Sequence, residues 1–266
     1  MKKLNFIIKY GLALLLLSFY SCESWLNVTP SDRLSEEMLF NDREGFVKAL
    51  NGVYIELNTN ELYGRNLTAG ALDVMGQYYS VASSSHAFYN YGGLVYTGND
   101  EKALFDNMWQ KCYAVIACCN TIIEKCDENK AGLSPVWKGS IKGEALALRA
   151  MLHFDMLRLF GPLTSELDKE SIPYQTNSDQ TVTPLLSGSE VIGLILDDLK
   201  NAVGLLKDTD PYFVEEEFSD TDLNYRRFRM NYFAAKGLMA RVQLWGGDKE
   251  KAAATAKEVI AEGQAE

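Results

Sequence analysis

The chain has 266 residues, 47% of them hydrophobic and 23% charged, with 36 acidic against 26 basic residues and a formal net charge of −10. That acidic balance argues against nucleic acid and against anionic membrane surfaces, both of which are read by clustered Lys and Arg. The length suits one large domain or two small ones.

Lys2 and Lys3 precede an apolar run from Tyr10 to Tyr20, followed by Ser21 and Cys22. This is the layout of a bacterial secretory signal, and the run is short for a span, which needs about 20 apolar residues. A cysteine directly after a small residue points to lipoprotein processing, with Cys22 as the acylated first residue. Of the three positions before it, Phe19, Tyr20 and Ser21, only Ser21 suits a lipoprotein box. An ordinary cysteine after conventional cleavage, or an uncleaved anchor, are the alternatives. Without residues 1–21 the balance becomes 23 basic against 36 acidic residues, or −13. The expected organisation is a signal peptide over 1–21, an extended tether over 22–33 in which Pro30 blocks helix, and a helical domain over 34–266.

Helical periodicity dominates from there. Asn41 with Glu44 predicts a capping box opening a helix that aligns Phe46, Leu50, Val53, Tyr54 and Leu57. A second helix is expected over Glu61–Tyr79 with Leu62, Leu72, Met75 and Tyr79, weakened by Gly64, Gly70 and Gly76. Residues 80–99 read as a Ser-, Gly- and Asn-rich loop that carries Phe88, Tyr89, Tyr91 and Tyr96. A long helix over Glu101–Cys126 repeats Trp109, Tyr113, Ile116, Asn120 and Ile123. The next runs from Pro135 to Phe160 and stops at Gly161-Pro162.

Residues 163–186 read as an irregular connection. Ser187 or Ser189 caps a helix bearing Val191, Ile195, Leu199, Val203 and Leu206, and an acidic loop follows over Lys207–Asn224. Two last helices, Arg229–Trp245 and Lys249–Glu262, flank Gly246-Gly247-Asp248. No period-2 alternation of useful length appears, so the fold class is mainly α. The small residues Ala234, Ala235, Ala240 and Ala252–Ala254 suit tetratricopeptide-like helix pairs.

Cys112, Cys119 and Cys126 recur every seven residues on one predicted helix, about 10.5 Å apart along its axis. That exceeds disulfide reach. With Cys118 they are expected to be small buried hydrophobes, and no zinc spacing is present.

Six segments together resemble the SusD/RagB family of outer-membrane nutrient-binding lipoproteins. They are Cys22 with Trp25-Leu26-Asn27-Val28-Thr29-Pro30; Ala49–Tyr54; Trp109, Tyr113, Ile116 and Asn120; Gly143-Glu144-Ala145 with Leu148-Arg149-Ala150, continuing to Gly161-Pro162; Asp198-Leu199 with Ala202 and Leu206; and Ala234-Ala235, Ala240-Arg241-Val242, Gly247-Asp248 and Ala252. Asn27 stands where the family usually has Asp, and the connection holding Glu166 lacks the usual Pro-Leu. The resemblance implies a SusD-like fold with long irregular loops. It implies a lipid anchor in the outer membrane, a position facing the cell surface, and capture of oligosaccharide for a partner TonB-dependent SusC-like β-barrel transporter. It implies no cofactor and no nucleic acid. Family members run about twice this length, so the chain reads as a truncated, N-terminal portion whose last helix pair leaves an apolar face uncovered. Instability or aggregation of the isolated chain is expected on that ground.

Glycan capture needs flat aromatic faces and neutral hydrogen-bonding groups, and loops present these more often than cores do. The candidate ligand-binding residues are Tyr78, Tyr79, His86, Phe88, Tyr89, Asn90, Tyr91 and Tyr96; half of the tyrosines packing beneath the loop is the plainer alternative. Trp109, Tyr113 and Trp137 read as core, Trp245 as a staple at a helix end, and His153 as structural. Glu144 and Arg149 are expected to be either a buried ion pair with each other or surface charges. Asp220-x-Asp222-x-Asn224 opens like a calcium loop but has Tyr225 and Asn231 where Gly and Glu belong, which leaves a solvated acidic loop. No motif or marked carboxylate pair supports catalysis. A peptide-binding member of the same family and a general envelope interaction module are the alternatives.

Overall fold

The computed structural model describes residues 36–179, 181–214, 218–219 and 225–264. The predicted signal, Cys22, the tether with residues 25–30, and Asp220, Asp222 and Asn224 lie outside the described residues. The chain divides into two units, Met1–Leu39 and Phe40–Glu266. In the first, Glu36–Leu39 form a single exposed turn, α1.

The second unit opens with α2 (Arg43–Leu57), capped by Asp42, not Asn41: Asp42 is extended (φ −145°, ψ 171°) and its carboxylate accepts from Gly45 N at 2.8 Å. Phe46, Leu50, Val53 and Leu57 are buried on one face, as their spacing predicts. The expected helix over Glu61–Tyr79 is not formed. Residues 58–70 fold in consecutive turns, and only Ala71–Met75 become helical, as α3. Two glycines explain this, because a Cβ at Gly64 would lie 2.7 Å from Thr59 O and one at Gly70 would lie 2.7 Å from Arg65 O. The backbone folds back on itself where only glycine fits.

A one-turn helix, α4 (Tyr89–Gly92), interrupts the 80–99 loop. Then α5 (Asn99–Glu128) runs to Asn129, which closes it in the left-handed region (φ 45°). The following helix, α6 (Pro135–Phe160), has the predicted bounds. Ser134 accepts from Trp137 N at 3.3 Å, Pro135 fills the first turn, and Gly161 N donates to Leu157 O at 2.9 Å. From Ile141 to Leu157 this helix is buried on nearly every side, so it is the central rod of the domain.

Within the irregular 163–186 connection the structure forms two short antiparallel strands, β1 (Glu170–Pro173) and β2 (Leu185–Ser187), with Glu170 opposite Ser187 and Pro173 opposite Leu185. The shift of register between those pairs marks an irregularity in β1. Ser187 then caps α7 (Gly188–Thr209) in a reciprocal capping box with Glu190. The broadest helix contact is α6 on α7. Gly139 and Gly143 allow it: a Cβ at Gly139 would sit 2.5 Å from Thr209 Cγ2, and one at Gly143 would sit 2.8 Å from Leu206 Cγ.

The final pair is α8 (Tyr232–Trp245), capped by Asn231 on Ala234 N, and α9 (Lys249–Gln264), joined through Gly247 at φ 91°. Ala235 and Ala252 are buried between neighbours, whereas Ala234, Ala253 and Ala254 face outward. Lys236 on α8 reaches Glu258 and Glu262 on α9 at 3.0 and 2.8 Å and clamps the pair. Cys112, Cys119 and Cys126 are buried free thiols, but Cys118 is exposed, because a residue adjacent to Cys119 turns to another face of α5.

Candidate functional site

The aromatic segment is built on a small core of its own. Ala71 and Val74 of α3 and Tyr91 of α4 are buried, and Met75, Val81, Phe88, Tyr96, Leu104 and Phe105 pack around them. Ring contacts are edge-on: Phe88 to Tyr91 at 5.8 Å, Tyr91 to Phe105 at 6.0 Å and Tyr96 to Phe105 at 5.4 Å. This is the favoured approach of two quadrupoles. Phe105 continues inward to Phe160 at 6.3 Å, and Phe160 to Trp109 at 5.1 Å.

Polar groups fix the loop to its flanks. Asn90 Nδ2 donates to Glu101 Oε1 at 2.8 Å, and Glu101 is itself buried in the first turn of α5. Gln77 Nε2 donates to Gly92 O at 2.9 Å across the base of the loop. Gln77 and Leu94 hold φ of 62° and 54°, a region that costs non-glycine residues energy and persists only where surroundings enforce it. Phe88 N donates to His86 Nδ1 at 3.1 Å, which leaves Nε2 as the ring nitrogen available to a ligand.

The eight candidate residues therefore separate. Tyr78, Tyr79 and Tyr89 are 81%, 51% and 42% exposed, and His86 is exposed beside them in sequence. Phe88 and Tyr96 are half-buried in the local core. Tyr91 is 2% exposed and its ring is enclosed by Phe88, Tyr96 and Phe105, so it supports the loop and presents no face to a ligand. Desolvation pushes its phenol above the ordinary value. The Asn90 amide is engaged by Glu101.

The helix charges do something different from the expected Glu144–Arg149 pair. Both are buried, but each has other partners. Arg149 forms a bidentate pair with Asp198 of α7 at 2.7 Å for each bond and donates to Asn120 Oδ1 at 2.9 Å. Tyr174 OH adds a 2.6 Å bond to Asp198. Glu144 accepts from Arg226 and Arg229, and from Tyr54, whose hydroxyl accepts from Met230 N at 2.8 Å. Arg226 also pairs with Asp210. His153 lies fully buried and stacked 3.9 Å from Tyr174. Its Nδ1 donates to Arg149 O and its Nε2 accepts from Gln175 N, each at 3.0 Å. Burial pushes its pKa down to about 3.

Among the described residues these networks join α2, α5, α6, α7 and the start of α8, and each charge named in them has a partner of opposite sign. A cavity of about 220 Å³ bordered by Trp137, Phe218, Tyr225, Glu144, Arg226 and Arg229 has this same satisfied floor. Trp109 and Tyr113 are half-buried, and Tyr113 OH donates to Pro173 O at 2.9 Å. Trp137 is buried, and Trp245 packs edge-on against Phe154 at 5.8 Å. Sequence reasoning missed Asp210 and Arg226 as core charges and Arg229 as their half-buried neighbour. The visible signal is a pair of arginines shortly before the apolar start of α8.

Comparison with known proteins gives one family and one fold. Residues 24–244 match the SusD-like family model described as "Starch-binding associating with outer membrane". The chain is similar to SusD-like protein P2 of Formosa agariphila, 26% identical over 265 residues, which are 97% of this chain and 46% of that protein. It is 30% identical over 146 residues to a SusD-like protein of Bacteroides ovatus, covering 53% of this chain and 23% of the relative. The chain spans about half the length of the curated relative matched over nearly all of it. Among solved structures it resembles a SusD-like carbohydrate binding protein from Bacteroides vulgatus, with TM-score 0.66, 23% identity, and 84% and 45% of the two chains covered. It also resembles a laminarin binding SusD-like protein, with TM-score 0.61, 17% identity, and 82% and 43% covered.

Proposed function

The chain belongs to the SusD-like family of starch-binding proteins associated with the outer membrane, and on that premise we propose that it captures oligosaccharides on the aromatic loop over residues 78–96, without catalysis. Tyr78, Tyr79 and Tyr89 are the contact residues. A pyranose offers an apolar face of C–H groups to an aromatic ring and hydroxyls to neighbouring polar groups. Ser80, Ser83, Ser84 and Nε2 of His86 are such groups along the same loop. The observation that carries the reading is the contrast within the loop: large aromatic side chains are held exposed on a backbone that a private core and two side-chain amide hydrogen bonds hold in place. Preorganisation of this kind lowers the ordering cost of binding.

The rest of the proposed cycle follows from the family. Cys22 is lipidated, the tether of residues 22–33 keeps the domain at the outer membrane facing outward, and the captured glycan passes to a TonB-dependent SusC-like transporter. The test is retention of the purified protein on starch and laminarin. Tyr78→Ala and Tyr89→Ala each weaken binding about tenfold, the order of one lost stacking contact. Unchanged retention in both variants, with the fold intact, refutes the aromatic platform. Co-purification with a β-barrel membrane protein tests the transporter step.

A further inference from the structure

From Val74 to Asn99 the chain carries no Asp, Glu, Lys or Arg over 26 residues. Charged residues are 23% of the whole sequence, and the next longest run without one is Tyr10–Cys22. The uncharged stretch coincides with the loop that exposes Tyr78, Tyr79 and Tyr89. Its hydrogen-bonding equipment includes four serines, Thr97, Gln77, Asn90 and the imidazole of His86.

The charges that border it are acidic, with the exposed Lys102 one position beyond them. Asp73 precedes the stretch, and Asp100 and Glu101 follow it. Asp100 is exposed, whereas the Glu101 carboxylate is buried and bonded to Asn90. Among the described residues Arg65 stands over a ring of the loop, its guanidinium 5.9 Å from the centre of the half-buried Phe88 ring. It also donates through Nε to Asn66 Oδ1 at 3.2 Å. A polyanionic ligand on the exposed tyrosines would have to shed water from its carboxylates or sulfates with no Lys or Arg of the 74–99 stretch to replace it. It would also approach the exposed carboxylate of Asp100 in a protein of net charge −10. An uncharged sugar meets neither obstacle, because aromatic faces and hydroxyl or amide groups satisfy it.

We infer that the 78–96 loop selects uncharged glycans and rejects uronate-rich and sulfated ones. This selectivity rests on the reading of the loop as the glycan platform. Rejection comes from built-in repulsion and missing counter-charge as much as from attraction to the neutral ligand.

The experiment measures binding of the full chain, by calorimetry, to neutral polysaccharides (starch, laminarin, xylan and galactomannan) and to polygalacturonate, alginate and carrageenan. Each is repeated as salt rises from about 50 to about 200 mM. At least one neutral glycan binds, its Kd moves less than about twofold with salt, and Tyr89→Ala weakens it; no anionic polymer binds more tightly. Tighter binding of an anionic polymer that salt weakens and Tyr89→Ala abolishes overturns the selectivity while leaving the glycan platform standing. Binding to no polysaccharide, or glycan binding indifferent to both Tyr78→Ala and Tyr89→Ala, overturns the platform reading and the selectivity with it. Asp100→Lys adds a measurement at an exposed side chain: it raises affinity for alginate and leaves the neutral glycan within twofold. No gain for alginate refutes the repulsive role of that rim.

Discussion

Arg149→Met isolates the buried ion pair that ties α6 to α7. The methionine keeps most of the aliphatic stem and removes the guanidinium. Asp198, itself buried, then loses two bonds of 2.7 Å and keeps only Tyr174 OH at 2.6 Å. Asn120 Oδ1 loses its 2.9 Å donor as well. Removing one partner of a buried pair costs about 3–5 kcal/mol, because an uncompensated charge remains. With a urea m-value of about 3 kcal/mol/M, the unfolding midpoint falls by about 1–1.7 M. Adding Asp198→Asn removes the stranded charge, so the double variant is more stable than the sum of the single changes by about 1–2 kcal/mol. Urea denaturation followed by far-ultraviolet circular dichroism reads all four proteins. A midpoint shift below about 0.3 M for Arg149→Met, or strict additivity in the cycle, refutes the assignment of this pair as a coupled core element.

Three further outcomes are expected. Tyr91→Ala lowers stability by about 3 kcal/mol, as large-to-small changes in cores do, while Tyr89→Ala leaves the melting temperature within about 1 °C; equal effects would contradict the division of the loop into support and surface. His153 is neutral in the fold, with a pKa lowered from 6.5 to about 3, so the stability that its neutral state contributes is complete above pH 6.5. That contribution is lost as pH falls from 6.5 toward 3, by up to about 1.4 kcal/mol per pH unit; His153→Gln is less stable at pH 7 but has a flatter acid limb in urea midpoints, and an unchanged slope would refute the role of this group. Gly139→Ala forces a Cβ against Thr209 Cγ2 and costs about 1–3 kcal/mol; Thr209→Ala in the same chain restores most of it, and failure of that rescue would place the strain elsewhere.

The sequence made some elements legible and hid others for physical reasons. Where a cap and a 3.6-residue period coincide, bounds were readable, as at Ser134-Pro135 through Gly161 and at the Ser187–Glu190 box. The stretch over 61–79 imitated a helix because Leu72, Met75 and Tyr79 fall at helical spacing. The decisive contacts there are backbone to backbone, at Gly64 and Gly70, and hydrophobic spacing carries no trace of them. The strands over 170–173 and 185–187 are too short to show alternation. Glu144 and Arg149 lie five apart in one helix, so they diverge around it. Their partners, Arg226 and Asp198, stand 82 and 49 residues away, a distance local patterning does not span. In the candidate loop, composition located the aromatic residues, but the separation of exposed Tyr89 from buried Tyr91 comes from α4, a one-turn helix between two loops.

The chain of rings that leaves the loop has an optical consequence. Tyr91 and Tyr96 touch Phe105, Phe105 touches Phe160, and Phe160 meets the indole of Trp109. Trp137 and Trp245 sit in other ring clusters, beside Phe218 and Phe154. A displacement of the loop thus changes the surroundings of one indole through continuous ring contact, with no ligand near it. With Trp25, Trp137 and Trp245 replaced by Phe, the emission of Trp109 becomes a built-in gauge of what happens at the tyrosines, readable in solution without a label.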